Sequence, residues 1–211
     1  GTPKSYGNWA YDLYSKGQKD TDWQSFQFTT LEGGQVDQEE IDQAKIDLDE
    51  RTFRQEYLAS FETYSGSIYY NFDPKENVKP YTMMPNQPIH IGMDFNIDPM
   101  SAVVCVTDRD DVTWVIDEIT IYSSNTNEMA DEIKRRYGNR PVFVYPDATG
   151  LRRTTNSTGM SDHLILQHHG FKLITGKSNP PVAERISSVN ARLCNNTGER
   201  KLFVTPKCKQ L

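Results

Sequence analysis

Two aspartates stand where a rigid sheet can present an acid to a ligand. Asp94 closes the stretch Gln87-Pro88-Ile89-His90-Ile91-Gly92-Met93-Asp94-Phe95-Asn96, in which Ile89, Ile91 and Met93 alternate with His90, Gly92 and Asp94. That period of two belongs to a strand, and Asn96, Asp98 and Pro99 close it with turn chemistry. Asp147 follows Pro141-Val142-Phe143-Val144-Tyr145-Pro146, a short apolar run of the kind that forms a buried central strand. A lone Asp at a strand end is also a common turn former. Two of them on neighbouring strands would repel, and one would protonate unless a divalent cation neutralised both. Hard oxygen donors suit Mg²⁺ or Mn²⁺, and two ions about 3.5–4 Å apart can activate water and stabilise the leaving oxygen of a phosphodiester.

The elements that must position these acids follow from periodicity. Strands are expected at residues 89–95, 101–107 and 113–122, with Asp108-Arg109-Asp110-Asp111 as a charged hairpin turn. A helix over 125–137 carries Met129, Ile133 and Tyr137 on one side, and Lys134-Arg135-Arg136 suits its negative end. Further helices are expected at 162–169 and 181–194, and further strands at 141–145, 171–175 and 201–204. Three hairpin-connected strands followed by alternating helices and strands predict a mixed sheet with helices on both faces.

The first part of the chain reads differently. It begins without Met, and Trp9 and Leu13 share a helical face; it reads as starting inside a domain. Trp23, Phe26 and Phe28 suggest a strand over 23–30 from a sheet whose other members are absent. Asp37 with Glu40 has the spacing of a capping box, opening one acidic helix, and a second helix runs from Glu50 to Phe61. Residues 68–72 are expected as a short strand, and three prolines between Asp73 and Pro88 mark a linker. The resulting division is 1–64, a linker at 65–87, and a domain at 88–211.

Charge is unevenly placed. The formal net charge is −6, yet residues 1–133 hold 9 Lys and Arg against 25 Asp and Glu, while residues 134–211 hold 14 against 4. The second half therefore suits a polyanion such as DNA. Cys105, Cys194 and Cys208 show no paired spacing, which suggests neither a disulfide framework nor a zinc site. No apolar run approaches the roughly 20 residues of a membrane span, and no signal peptide is visible, so a reducing cytoplasm is expected.

Taken together, Gly1-Thr2-Pro3-Lys4 with Asn8-Trp9, Phe53-Arg54-Gln55-Glu56-Tyr57 with Phe61-Glu62, Gly92-Met93-Asp94-Phe95, Tyr145-Pro146-Asp147-Ala148-Thr149-Gly150 and Leu202-Phe203-Val204 resemble the C-terminal part of a tailed-phage terminase large subunit. That family is a packaging motor joining an ATPase to an RNase H-like nuclease. The resemblance implies an RNase H-like mixed sheet preceded by the end of an ATPase domain. It also implies metal-dependent cutting of concatemeric double-stranded DNA with two Mg²⁺ or Mn²⁺ ions. Asp94 and Asp147 become the catalytic and metal-holding residues, and a portal protein and a small terminase subunit become partners in the host cytoplasm. No GxxxxGK[ST] sequence is present, so ATP is expected to act only in a part of the parent chain outside these 211 residues.

One departure stands out. The family's nuclease needs a third acid, usually on a helix after the last strand, and this sequence stops at Leu211. Glu118 at the end of the third strand is a candidate replacement, with Asp117 on the opposite face. Asp162, Glu184 and Glu199 have simpler readings as a helix cap, a helix-face charge and a turn. Lys177, Asn179 and Arg185 are candidates for phosphate contact, and Asn96 and Asp98 for support of the metal. His163, His168 and His169 read as surface or structural residues. Two rival functions remain: a DNA-binding or docking module that lacks cleavage, and a resolvase or transposase of the same fold.

Overall fold

A computed structural model of the chain describes residues 8–62, 66–96, 98–148, 160–176 and 178–210. In order the elements are α1 (Trp9–Gly17), α2 (Thr30–Gly33), α3 (Gln38–Asp47), α4 (Glu50–Tyr57), α5 (Pro74–Asn77), β1 (Ile89–Asp94), β2 (Met100–Thr107) and β3 (Thr113–Ile121). Then come α6 (Thr126–Tyr137), β4 (Val142–Pro146), α7 (Asp162–His168), β5 (Lys172–Leu173), α8 (Val182–Leu193) and β6 (Leu202–Val204). The chain divides into two compact units, residues up to Asp73 with Pro181–Lys201, and Pro74–Pro180 with Leu202–Leu211.

The sheet unit contains six strands in the order β5-β4-β1-β2-β3-β6. The hairpins make β1, β2 and β3 antiparallel in turn, and the crossovers through helices place β4 parallel to β1 and β5 parallel to β4. Alternation drives the packing. Ile89, Ile91 and Met93 of β1, Met100, Ala102, Val104 and Val106 of β2, and Val142 and Val144 of β4 bury one face against Met129, Ala130 and Ile133 of α6 and Leu166 of α7. α6 starts where the Asn125 side chain accepts from the backbone N–H groups of Asn127 and Glu128, satisfying donors that the first turn leaves open. In the hairpin between β2 and β3, Asp108 accepts from the N–H groups of Asp110 and Val112 and from the Trp114 indole at 2.9 Å.

In the helical unit, Ile41, Ala44 and Phe53 form a small core with Val36, Leu48 and Tyr57 packed on it. Asp49 is its polar counterpart: 1 % exposed, it accepts from the N–H groups of Arg51 and Thr52 and from the hydroxyls of Ser187 and Tyr70. α8 is tied in by Asn190, which donates to the carbonyls of Ile68 and Ile186 and accepts from the Asn71 N–H. Residues 181–201 thus pack with the N-terminal residues, although the 88–211 division placed them with the sheet.

Several local expectations differ from the structure. Residues 24–29 form no strand: with no partner strand among the described residues their backbone makes no ladder, Phe26 and Phe28 stack on each other while exposed, and Thr30 opens α2. Residues 68–71 form a turn instead of a strand, for the same lack of a pairing edge. Asp37 caps α3 without a side-chain hydrogen bond, whereas a capping box does form at Thr29 and Glu32, where each side chain meets the other residue's N–H.

Candidate active site

The sequence expectation that Asp94 and Asp147 end neighbouring strands is met in the topology. β1 and β4 run parallel, with their last paired positions at Met93 and Pro146, so each acid lies one residue beyond the same rung. Because Met93 and Pro146 point into the core, the following residues turn the other way, Asp94 exposed and Asp147 half-buried.

Both carboxylates are held by amides. Asn96 Nδ2 donates to Asp94 Oδ2 at 2.7 Å, and Asn179 Nδ2 donates to Asp147 Oδ2 at 2.8 Å. Asn179 Oδ1 also accepts from the Ala148 N–H at 3.0 Å. His163, 5 % exposed at the start of α7, places Nε2 3.0 Å from the carbonyl oxygen of Asp147. A carbonyl only accepts, so this nitrogen carries the hydrogen. Its ring lies 6.0 Å from that of Phe95, directly after Asp94. His163 therefore braces the backbone behind both acids, a role that periodicity could not reveal because it depends on where α7 docks. Farther along the same face, the His90 imidazole lies 2.9 Å from the Tyr145 hydroxyl, and partial burial lowers its affinity for a proton.

The other candidate acids lie apart from this pair. Glu118 shares the Asp94 face but stands on β3, across the rung Gly92–Val103–Glu118. Two strand spacings separate it from β1, about 10 Å. Its carboxylate accepts from the N–H groups of Lys209 at 2.7 Å and Gln210 at 3.0 Å, fixing the segment after β6. Asp117 faces α6. Burial works to raise its carboxyl, but hydrogen bonds from Tyr137 and Arg136 with Lys207 alongside outweigh that and leave it below the usual range. Asp98 accepts from the Ser123 N–H, and Asp162 from the Thr126 hydroxyl; the cap of α7 is Ser161, in place of the expected Asp162. Glu199 pairs with Lys201, and Glu184 is exposed on α8. His169 meets Asn127 and Asp131 of α6.

Lys177 lies outside the described residues, as do Gly1–Lys4, Thr149 and Gly150. Arg185 is exposed on α8, in the helical unit. Several basic residues of the second half are paired: Arg135 and Arg136 with Glu132, and Lys207 with Asp117.

As a metal site the donor set fits in type. Two carboxylates steadied by neutral amides present hard oxygens to a hard ion. Among the described residues no group of three or more His, Cys, Asp or Glu is gathered so as to hold a metal, and the remaining residues include no Asp or Glu.

Known proteins resemble the chain in sequence and in fold. No protein-family model matches it. The large terminase subunit of Escherichia phage T5 is 34 % identical over 80 residues, 37 % of this chain and 18 % of that protein. The large terminase of a thermophilic bacteriophage, solved with ATP-γ-S, superimposes with a TM-score of 0.71 over 99 % of this chain and 51 % of that one, at 16 % identity. The P22 large terminase nuclease domain superimposes with a TM-score of 0.53 over 69 % of this chain and 75 % of that one, at 14 % identity. The chain thus spans about half the length of the thermophilic phage protein and matches a smaller share of the T5 protein. The resemblance to phage large terminase subunits read from the sequence is borne out, and the fold is that of their RNase H-like nuclease domains. No helix among the described residues is long and apolar enough to cross a membrane.

Proposed function

We propose that this relative of the phage large terminase subunits is the nuclease portion of a DNA-packaging motor, cutting concatemeric double-stranded DNA by hydrolysis of a phosphodiester. The observation that carries the proposal is the adjacency of Asp94 and Asp147 at one end of a parallel strand pair, each steadied by an amide. Asp94 and Asp147 would hold Mg²⁺ or Mn²⁺, which when bound supplies a Lewis acid to water and to the scissile phosphate. The chain's own contribution is geometric and electrostatic. Parallel strands fix the acids, His163 fixes the backbone behind Asp147, and Glu118 fixes residues 209–210 on the same face. Exposed cations, Arg185 among them and Lys177 by sequence, would contact phosphate and confer affinity with little sequence preference. ATP use, a portal protein, a small terminase subunit and a host-cytoplasmic setting belong to the proposal for the whole protein.

A second reading has its own support. Two gathered carboxylates leave any second ion weakly held, which favours a DNA-docking module that cuts slowly or not at all. Supercoiled plasmid with Mn²⁺ separates the two. Slow nicking by residues 1–211 that disappears in Asp94→Ala and Asp147→Ala, and that quickens when a longer chain supplies a third carboxylate, supports the nuclease. DNA binding without nicking in either chain supports the docking module, and nicking indifferent to both substitutions removes the site.

A further inference from the structure

We infer that Asn179 is a positioning residue for Asp147, setting the direction in which that carboxylate is presented; this rests on reading Asp94 and Asp147 as the ion-holding pair. Asn179 uses its amide in both senses, accepting from the Ala148 N–H at 3.0 Å and donating to Asp147 Oδ2 at 2.8 Å. A backbone N–H only donates, so Oδ1 must face Ala148 and the NH₂ group must face the carboxylate. The opposite flip would set donor against donor and acceptor against acceptor. The amide is therefore locked by two consecutive residues at the end of β4. Its own backbone is restricted as well, because Pro180 follows and holds the preceding residue in extended conformations.

The two clamps differ in origin. Asn96 lies two residues from Asp94, and the local turn explains it. Asn179 lies 32 residues from Asp147 and reaches it from the loop after β5, so local turn chemistry cannot account for the contact. The chemistry of the clamp matters too. The Asn179 amide steadies one oxygen without itself adding charge. A neutral partner that holds the oxygen of an ion-binding acid is what tunes affinity from outside the ligand set.

The test is a Mn²⁺ titration by calorimetry on the full chain and on Asn179→Ala, with hydrogen exchange at the Ala148 amide and thermal melting measured alongside. The expected result is Mn²⁺ affinity about 10–100-fold weaker in the variant, faster exchange at Ala148, and a melting midpoint near the parent's. Faster exchange with affinity kept within about twofold overturns the inference, because it shows a tie that serves the loop alone. Asn179→Leu, similar in volume and without donor or acceptor, takes the place of the alanine variant if that one unfolds. Asp147→Asn separates the two claims. If it weakens Mn²⁺ while Asn179→Ala does not, only the positioning role fails; if Asp147→Asn binds as the parent does, the ion-holding pair fails and the positioning role with it.

Discussion

Asp94 and Asp147 extend from adjacent parallel strands at the same level, one residue past the rung formed by Met93 and Pro146. The buried Met93 and Pro146 tie this arrangement to the core, since a one-residue slip of either strand would bury an acid and expose an apolar side chain. The geometry of the acids therefore depends on the packing beneath them.

The first prediction concerns that packing. Ile91 of β1 is fully buried in the core beneath the sheet, and Ile91→Ala is expected to cost about 2–5 kcal/mol. Denaturant unfolding of the sheet unit's tryptophan, Trp114, measures it; a cost below about 1 kcal/mol would contradict a close-packed core at this position.

A second concerns the helical unit. Removing the Asp49 carboxylate takes the cap from α4 and the acceptor from the Tyr70 hydroxyl, and leaves the Ser187 hydroxyl with Thr52 alone. Asp49→Ala is expected to destabilise by about 1–2 kcal/mol, from a lost cap and a part-buried hydroxyl left without its acceptor. An unchanged unfolding midpoint would show that this network adds nothing.

Acid should weaken the sheet unit in a defined window. Arg135 first, and then Arg136, hold the Glu132 carboxyl down to about 2 from an ordinary 4.5. Asp117 is lowered in the same direction. A depressed carboxyl stabilises the fold above its unfolded value and loses that contribution as pH falls through the folded one. Thermal midpoints should therefore drop between pH 4.5 and about 2, and Glu132→Gln should flatten part of that slope. Equal slopes in the two proteins would exclude Glu132 as a source, and its partly exposed setting keeps the effect modest.

How much of this was legible in the sequence depends on the range of the signal. Alternation in 89–94 and the apolar run before Asp147 located both acids, because burying one face of a strand writes its period into the chain. Their adjacency was only conditional, since strand order is set by crossovers that no local pattern records. Trp23, Phe26 and Phe28 misled because aromatic content favours a strand only where a partner exists. Asn179 was read as a phosphate contact, and its hold on Asp147 spans two loops that periodicity does not connect. Alternation puts Glu118 opposite Asp117, but its engagement with residues 209 and 210 is a tertiary fact.

Binding to DNA should fall steeply with salt, because phosphate contacts release counterions. The slope is expected to be smaller than the 14 Lys and Arg of residues 134–211 suggest, since Arg135, Arg136 and Lys207 are already paired with acids. Fluorescence anisotropy across a salt series measures it, and Arg185→Ala should reduce the slope by about one for a direct phosphate contact. Affinity that does not change with salt would remove the polyanion as partner.

The most direct test of the paired acids is Mn²⁺ calorimetry on the parent, Asp94→Asn, Asp147→Asn and the double variant. Two carboxylates that share one ion act as a unit, so either single substitution should abolish most of the binding and the double should be little worse than either one. Single variants that bind Mn²⁺ as the parent does, or losses that simply add, would show that the two aspartates do not hold a common ion.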